Sequence, residues 1–218
     1  MAQGKKVALV TGGTGALGTA VARKFEESGY ETHVTASHAP PEWKGPGRAH
    51  AVDLADLDAV RSLASGFSEV HAIALCAGGF AMAKIAELTK KDLESMMGAN
   101  FGTAANTIAA FGPKMPVGSA AVVVGSQSYE GAAGMAAYAA SKAALISFAR
   151  SAALEWKGRE VRVNAVLPDT IDTPANRRAM PTADFDRWAK PEEIADVVAW
   201  LCSPAARVVT GNALYVGR

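Results

Sequence analysis

Residues 120–155 read AAVVVGSQSYEGAAGMAAYAASKAALISFARSAALE. Five small or Val residues stopping at Gly125-Ser126 have the pattern of a strand buried on both faces of a parallel sheet. From Ala137 the composition turns to helix formers, so a strand, a loop and a helix reaching Glu155 are expected, with any chemistry at the strand's carboxyl end. Tyr138 and Lys142 stand four residues apart and fall on one face of that helix. A phenol is a weak acid, with a reference pKa of about 10. A nearby ammonium favours the phenolate, which makes Tyr138 a candidate proton donor or acceptor and Lys142 the group that tunes it. Ser126, at the strand tip, can hydrogen-bond a substrate oxygen. The same pair also arises by chance on Ala-rich helices, where a Tyr simply packs.

Composition narrows the classes. A chain of 218 residues is one domain by default and long enough to bury a large core. Its 22 basic and 21 acidic residues leave a net charge of +1, too balanced for a sequence-independent grip on nucleic acid or an anionic membrane. Cys76 and Cys202 are too few for a disulfide framework, and Cys76 reads as a buried free thiol. The amino terminus leads straight into an apolar strand, too short for a cleavable signal, and no apolar run is long enough to span a bilayer. A reduced, cytoplasmic protein without a metal site is expected.

Outward from the central stretch, strands and helices alternate. Val7–Val10 is the first strand, followed at once by Thr11-Gly-Gly-Thr-Gly-Ala-Leu-Gly18 and a helical pattern to Ser28. Glycines at such a turn let backbone approach a pyrophosphate that the helix N-terminus then holds. Gly12, Thr14, Gly15 and Leu17 are the candidate contacts, a plain turn the alternative. Further strands are expected at 30–36, 49–52, 70–75, 161–167 and 210–216. Helices are expected at about 57–65 and 89–110, and from Pro191. A Pro-Gly-rich loop separates the second and third strands at 40–47. The fold class is α/β: one domain over 1–218, a doubly wound parallel sheet of about seven strands with helices on both faces.

Ser126, the Tyr138-Ala-Ala-Ser-Lys142 run, the glycine loop, Asn100 in Gly-Ala-Asn-Phe-Gly and Asn164-Ala-Val-Leu-Pro168 occur in that family's order, and the chain resembles the short-chain dehydrogenase/reductase family over essentially its whole length. The resemblance implies a Rossmann-type fold and hydride transfer between a nicotinamide cofactor and a small carbonyl or alcohol. Ser126, Tyr138 and Lys142 would be catalytic, with Asn100 holding a water that links the lysine to solvent. It further implies that Asp53 and Leu54 meet the adenine, although Asp53 reads equally well as a turn carboxylate. Ala77 and Gly78 would let the ribose lie close, Tyr138 and Lys142 would touch cofactor as well as substrate, and Pro168, Ile171 and Thr173 would hold the carboxamide. Three departures stand out: Ala16 for the loop's middle glycine, Cys76 for an asparagine and Asp169 for a glycine. Residues 173–190, polar and irregular, would form a substrate lid covered by Met180, Phe185 and Trp188, or Trp188 would pack on the body of the domain.

The end of the second strand decides the cofactor. Thr35-Ala-Ser-His38 contains no acid to repel a 2′-phosphate, while Ser37 and His38 can donate to one. NADP(H) is expected over NAD(H), with Arg48 or Lys44 as further phosphate partners. Surplus apolar surface on the 137–155 helix, through Ala139, Ala140, Ala143, Ala144, Leu145 and Phe148, suggests a homodimer or homotetramer. Local runs also resemble dihydropteridine reductases, and a catalytically silent nucleotide-binding regulator is the third reading. The intact Tyr138 and Lys142 favour an enzyme.

Overall fold

The computed structural model describes residues 4–38 and 42–218. The first three residues, and positions 39–41 before and within the Pro-Gly-rich loop, lie outside it. Seven parallel strands form one sheet in the order β3-β2-β1-β4-β5-β6-β7. In chain order they are β1 (Val7–Thr11), β2 (Glu31–Ala36), β3 (Arg48–Ala51), β4 (Ala72–Leu75), β5 (Ala120–Val124), β6 (Arg162–Pro168) and β7 (Ala213–Val216). The helices are α1 (Ala16–Glu27), α2 (Leu57–Ser65), α3 (Lys90–Met96), α4 (Thr103–Phe111), α5 (Ala136–Glu155), α6 (Pro174–Ala179) and α7 (Pro191–Cys202). The order reverses between β1 and β4, which puts the crevice for a ligand beyond the carboxyl ends of those strands.

Alternation along the strands divides the core in two. Leu9, Ile73, Leu75, Ala121, Val123, Val163, Ala165 and Leu167 point to one face, where α2, α4 and α5 cover them. Ala8, Val10, Ala72, Ala74, Ala120, Val122 and Val124 point to the other, beneath α1 and α7. All five residues of β5 are buried, as a central strand covered on both faces requires. Each fully buried Val, Leu or Phe contributes roughly 1.5–3 kcal/mol, so truncating Phe25 or Phe111, both wholly inaccessible, would be costly.

Three elements differ from the sequence expectation by more than a shift of one or two residues at an end. The last strand starts at Ala213 rather than 210, because Gly211 turns with φ 72° and the Thr210 hydroxyl accepts from the Val163 N–H at 3.1 Å. Residues 173–190 are not wholly irregular, since α6 forms there behind a Thr173 cap. The expected long helix is interrupted at 97–102 by a π-helical turn in which the Thr103 N–H reaches back five residues to the Gly98 carbonyl. That leaves the Ala99 carbonyl without its usual partner, and the Thr103 hydroxyl donates to it at 2.7 Å.

Candidate active site

The site is built where β1, β4 and β5 end. Gly125 leaves β5 with its N–H on the Val166 carbonyl at 2.8 Å, and Ser126 follows in extended conformation. The Ser126 oxygen accepts from the Ser128 N–H at 3.2 Å, so its own O–H remains to donate. Across the loop, α5 rises and carries Tyr138 and Lys142 on the face turned toward Ser126. The Lys142 ammonium sits 5.7 Å from the Tyr138 ring centroid and donates to the Val124 carbonyl at 2.8 Å.

Asn100 lies on the π turn and is wholly buried. Its Oδ1 accepts from the Gly79 N–H at 3.0 Å, and its Nδ2 donates to the Gly79 carbonyl at 3.1 Å and the Ser141 hydroxyl at 3.0 Å. Ser141 in turn donates to the Tyr138 carbonyl at 2.7 Å. Asn100 therefore fixes the segment after β4 against the helix that carries Tyr138 and Lys142. Sequence reasoning did not single out Ser141, although its place beside Lys142 was a signal.

Electrostatics depart from the expectation that Lys142 lowers the phenol. Burial dominates both groups, raising the Tyr138 pKa above its ordinary value while the Ser126 hydroxyl pulls it partly back. Burial brings Lys142 down from 10.5 to about 8, so at neutral pH it is still mostly an ammonium. The Cys76 thiol beside it is raised to about 12 by burial and stays neutral. It is partly exposed by surface area, not fully buried as expected.

The glycines at the strand tips make a cradle that suits a dinucleotide. Gly12 has φ 63°, and a Cβ there would lie 2.9 Å from Ala77 Cα. A Cβ on Gly78 would lie 2.5 Å from Asn100 Oδ1. Gly15 precedes α1 without any side-chain cap, which leaves first-turn N–H groups of that helix for an anion, with Thr14 and Leu17 on either side. Ala77 is tied to β1 through its N–H on the Thr11 hydroxyl at 3.1 Å. At the tip of β2, Ser37 and His38 are exposed and contact each other at 3.3 Å.

Other expected contacts also have partners within the chain. Asp53 accepts from the Ala55 N–H at 2.9 Å, the turn-carboxylate reading, and the Leu54 side chain is buried in the core. Arg48 pairs opposite His33, whereas Ala36 pairs opposite Ala51. That sets the Arg48 backbone roughly 10 Å back from the β2 tip at about 3.3 Å per residue, so its exposed side chain would have to fold forward to meet a phosphate there. Pro168 ends β6, the Ile171 carbonyl accepts from Asn176 at 2.8 Å, and the Thr173 oxygen caps α6 at 3.1 Å. Of the expected lid residues, Trp188 is buried, in keeping with packing on the body, while Met180 is exposed.

A wide concavity of about 890 Å³ opens at the amino ends of the strands, beside Lys6, His71 and Arg162. It lies at the opposite end of the sheet from Tyr138, so the site rests on the convergence of residues rather than on cavity size. Among the described residues there is no cluster of three metal-ligating side chains, and no helix is long and apolar enough to cross a membrane.

Comparison with known proteins agrees with the fold. A family model described as Enoyl-(Acyl carrier protein) reductase matches residues 13–218. The chain is 32% identical to the Cyclic-di-GMP-binding biofilm dispersal mediator protein of Escherichia coli (strain K12), over 94% of this chain and 93% of that protein. The ligand-free aldohexose dehydrogenase of Thermoplasma acidophilum superposes with a TM-score of 0.89 at 26% identity, covering 97% of this chain and 92% of that one. A blue fluorescent protein from a metagenomic library, in complex with NADPH, superposes with a TM-score of 0.84 at 29% identity, covering 97% and 96%.

Proposed function

The chain belongs to the short-chain dehydrogenase/reductase family, and from that premise we propose that it is an active NAD(P)(H)-dependent oxidoreductase interconverting a small carbonyl compound and its alcohol. The observation that carries the reading is the convergence of Ser126, Tyr138 and Lys142 on one point at the end of β5, braced by Asn100.

The nicotinamide cofactor supplies the hydride, or accepts it in the reverse direction. Gly12, Thr14, Gly15 and Leu17 would hold its pyrophosphate, Ala77 and Gly78 would border the ribose, and Pro168, Ile171 and Thr173 would border the carboxamide. Tyr138 gives its phenolic proton to the substrate oxygen as negative charge develops there, and takes it back from an alcohol. Ser126, whose oxygen already accepts from Ser128, donates its O–H to the same oxygen and orients it. Lys142 spends one N–H on Val124 and keeps two for the ribose hydroxyls and the phenol side of the site. The Ser126 hydroxyl, rather than the Lys142 charge, opposes the burial that otherwise holds Tyr138 protonated.

NADP(H) is the preferred cofactor in this proposal, because the exposed tip of β2 carries Ser37 and His38 and no carboxylate. The chain is proposed to act as a homodimer or homotetramer in the cytoplasm. Part of the surplus that suggested assembly is absorbed within the chain, since Ala139 and Leu145 are buried and Phe148 packs edge-on to Phe101 at 5.7 Å. Ala140 and Leu154 on α5 remain exposed. The deciding experiment is Tyr138→Phe, assayed by NAD(P)H absorbance against ketones, diketones, aldehydes and quinonoid dihydropterin. Cofactor binding should persist while kcat falls at least about 10²-fold. A variant retaining more than about a tenth of wild-type kcat would remove Tyr138 from its role.

A further inference from the structure

Phe80 lies directly against the proposed proton donor. It follows Gly78-Gly79 at the end of β4, its ring meets the Tyr138 ring edge-on with centroids 5.0 Å apart at 78°, and it is nonetheless 59% exposed. Met82 is 60% exposed, and its Cε would sit 3.3 Å from a Cβ built on Gly134, in the loop that leads into α5. The Ala83 N–H donates to the Gly134 carbonyl at 2.9 Å, and Ala83 bridges Met135. Phe80 and Met82 are thus mounted on a wall anchored to the same loop and helix as Tyr138.

That wall offers almost nothing polar. Cys76-Ala-Gly-Gly-Phe-Ala-Met-Ala83 and Gly131-Ala-Ala-Gly-Met-Ala-Ala137 carry no hydroxyl, amide or charged side chain. Beyond their ends, Lys84 and Glu87 lie 3.8 Å apart and point to solvent, and the Glu130 carboxylate accepts from the Tyr129 hydroxyl at 2.8 Å. A polyhydroxylated group laid against these two segments would lose water from its hydroxyls without recovering a side-chain partner there. An aryl group would cover exposed apolar surface and stack beside Phe80.

We propose, resting on the carbonyl-oxidoreductase reading above, that the substrate is a carbonyl compound bearing an aromatic ring next to the reacting carbon, and that Phe80 is the specificity-determining residue that seats that ring. Phe80 does not touch the transferred proton. It sets where the flanking group lies while Tyr138 and Ser126 hold the oxygen.

The test compares kcat/KM for acetophenone, 2-butanone and dihydroxyacetone with NADPH in wild type and in Phe80→Ala and Phe80→Leu, whose position is too exposed for folding to depend on it. Acetophenone should exceed both other substrates by about tenfold or more, and the acetophenone to 2-butanone ratio should fall about fivefold in Phe80→Ala, with Phe80→Leu between. A preference for dihydroxyacetone, or an unchanged ratio in Phe80→Ala, overturns the inference and leaves the oxidoreductase reading standing. If no carbonyl is turned over, that reading fails, and acetophenone binding is then read by thermal shift in Tyr138→Phe with NADP⁺ present. Stabilisation that disappears in the Tyr138→Phe, Phe80→Ala double variant supports the aryl seat, and equal shifts in both overturn it.

Discussion

Replacing Lys142 by Met removes an ammonium that burial holds at a pKa of about 8 instead of 10.5. A difference of about 2.5 pH units at 1.36 kcal/mol each amounts to about 3 kcal/mol of stability withheld while the group is charged in both folded and unfolded chains. Met matches the stem in length but gives up the hydrogen bond to the Val124 carbonyl, which offsets about 1 kcal/mol. The variant should therefore be more stable by about 2 kcal/mol at pH 6.5, a rise in Tm of about 4–8 °C for a chain of this size, and should lose turnover. The sign follows from proton binding. Below pH 8 both states of the wild type hold the proton and the penalty is complete. Between 8 and 10.5 the folded amine is neutral while the unfolded one is still charged, so the unfolded chain binds more protons and wild-type stability climbs with pH. Other groups titrating in that window are common to both proteins and cancel in the difference. Urea melts of the two proteins at pH 6.5, 8.5 and 10 measure it, and the gap should close as pH rises. A variant less stable at pH 6.5, or a gap that does not change with pH, would refute the argument that burial of charge dominates at Lys142.

Asn100→Ala should lower stability by about 1–3 kcal/mol, since it removes the buried bond to the Ser141 hydroxyl and leaves the half-buried N–H and carbonyl of Gly79 without their partner. A change under about 0.5 kcal/mol in urea unfolding would show that Asn100 does not brace the site. Ala36→Asp should raise the ratio of kcat/KM with NADH to that with NADPH by about tenfold or more, by adding the carboxylate that the tip of β2 lacks. A wild type already faster with NADH would overturn the cofactor assignment. Light scattering at micromolar concentration should report a dimer or tetramer, and a monomer would remove the assembly claim.

What could be read from sequence and what could not divide along physical lines. β5 was legible because a strand covered on both faces has no polar position to disguise it, and Tyr138 with Lys142 because four residues on a helix fix their mutual placement. α6 was not, because its six residues hold no apolar stripe and depend on the Thr173 cap and the Asp172–Arg177 pair. Arg48 stood near the cofactor site in sequence, but strand register put it opposite His33. Phe80 had no signal of its own, as its contact with Tyr138 exists only once the loop after β4 folds over α5. The dominance of burial over Lys142 in setting the Tyr138 pKa depends on the depth of both groups, which no spacing encodes.

The π turn at 97–102 works as a phase adjuster. A regular helix advances about 100° per residue, so the stripe that sets Ala104, Ile108 and Phe111 into the core would, if continued backward without interruption, dictate where residue 100 faces. The extra residue in the wide turn breaks that dependence and lets Asn100 point at Gly79 and Ser141 while the following two turns keep their own alignment. Deleting one residue between Met97 and Gly102 would leave a straighter helix with better backbone bonds and would swing Asn100 off its partners by about 100°. The core and the segment after β4 can thus be tuned separately along one rod, because the rod carries a slip in its winding.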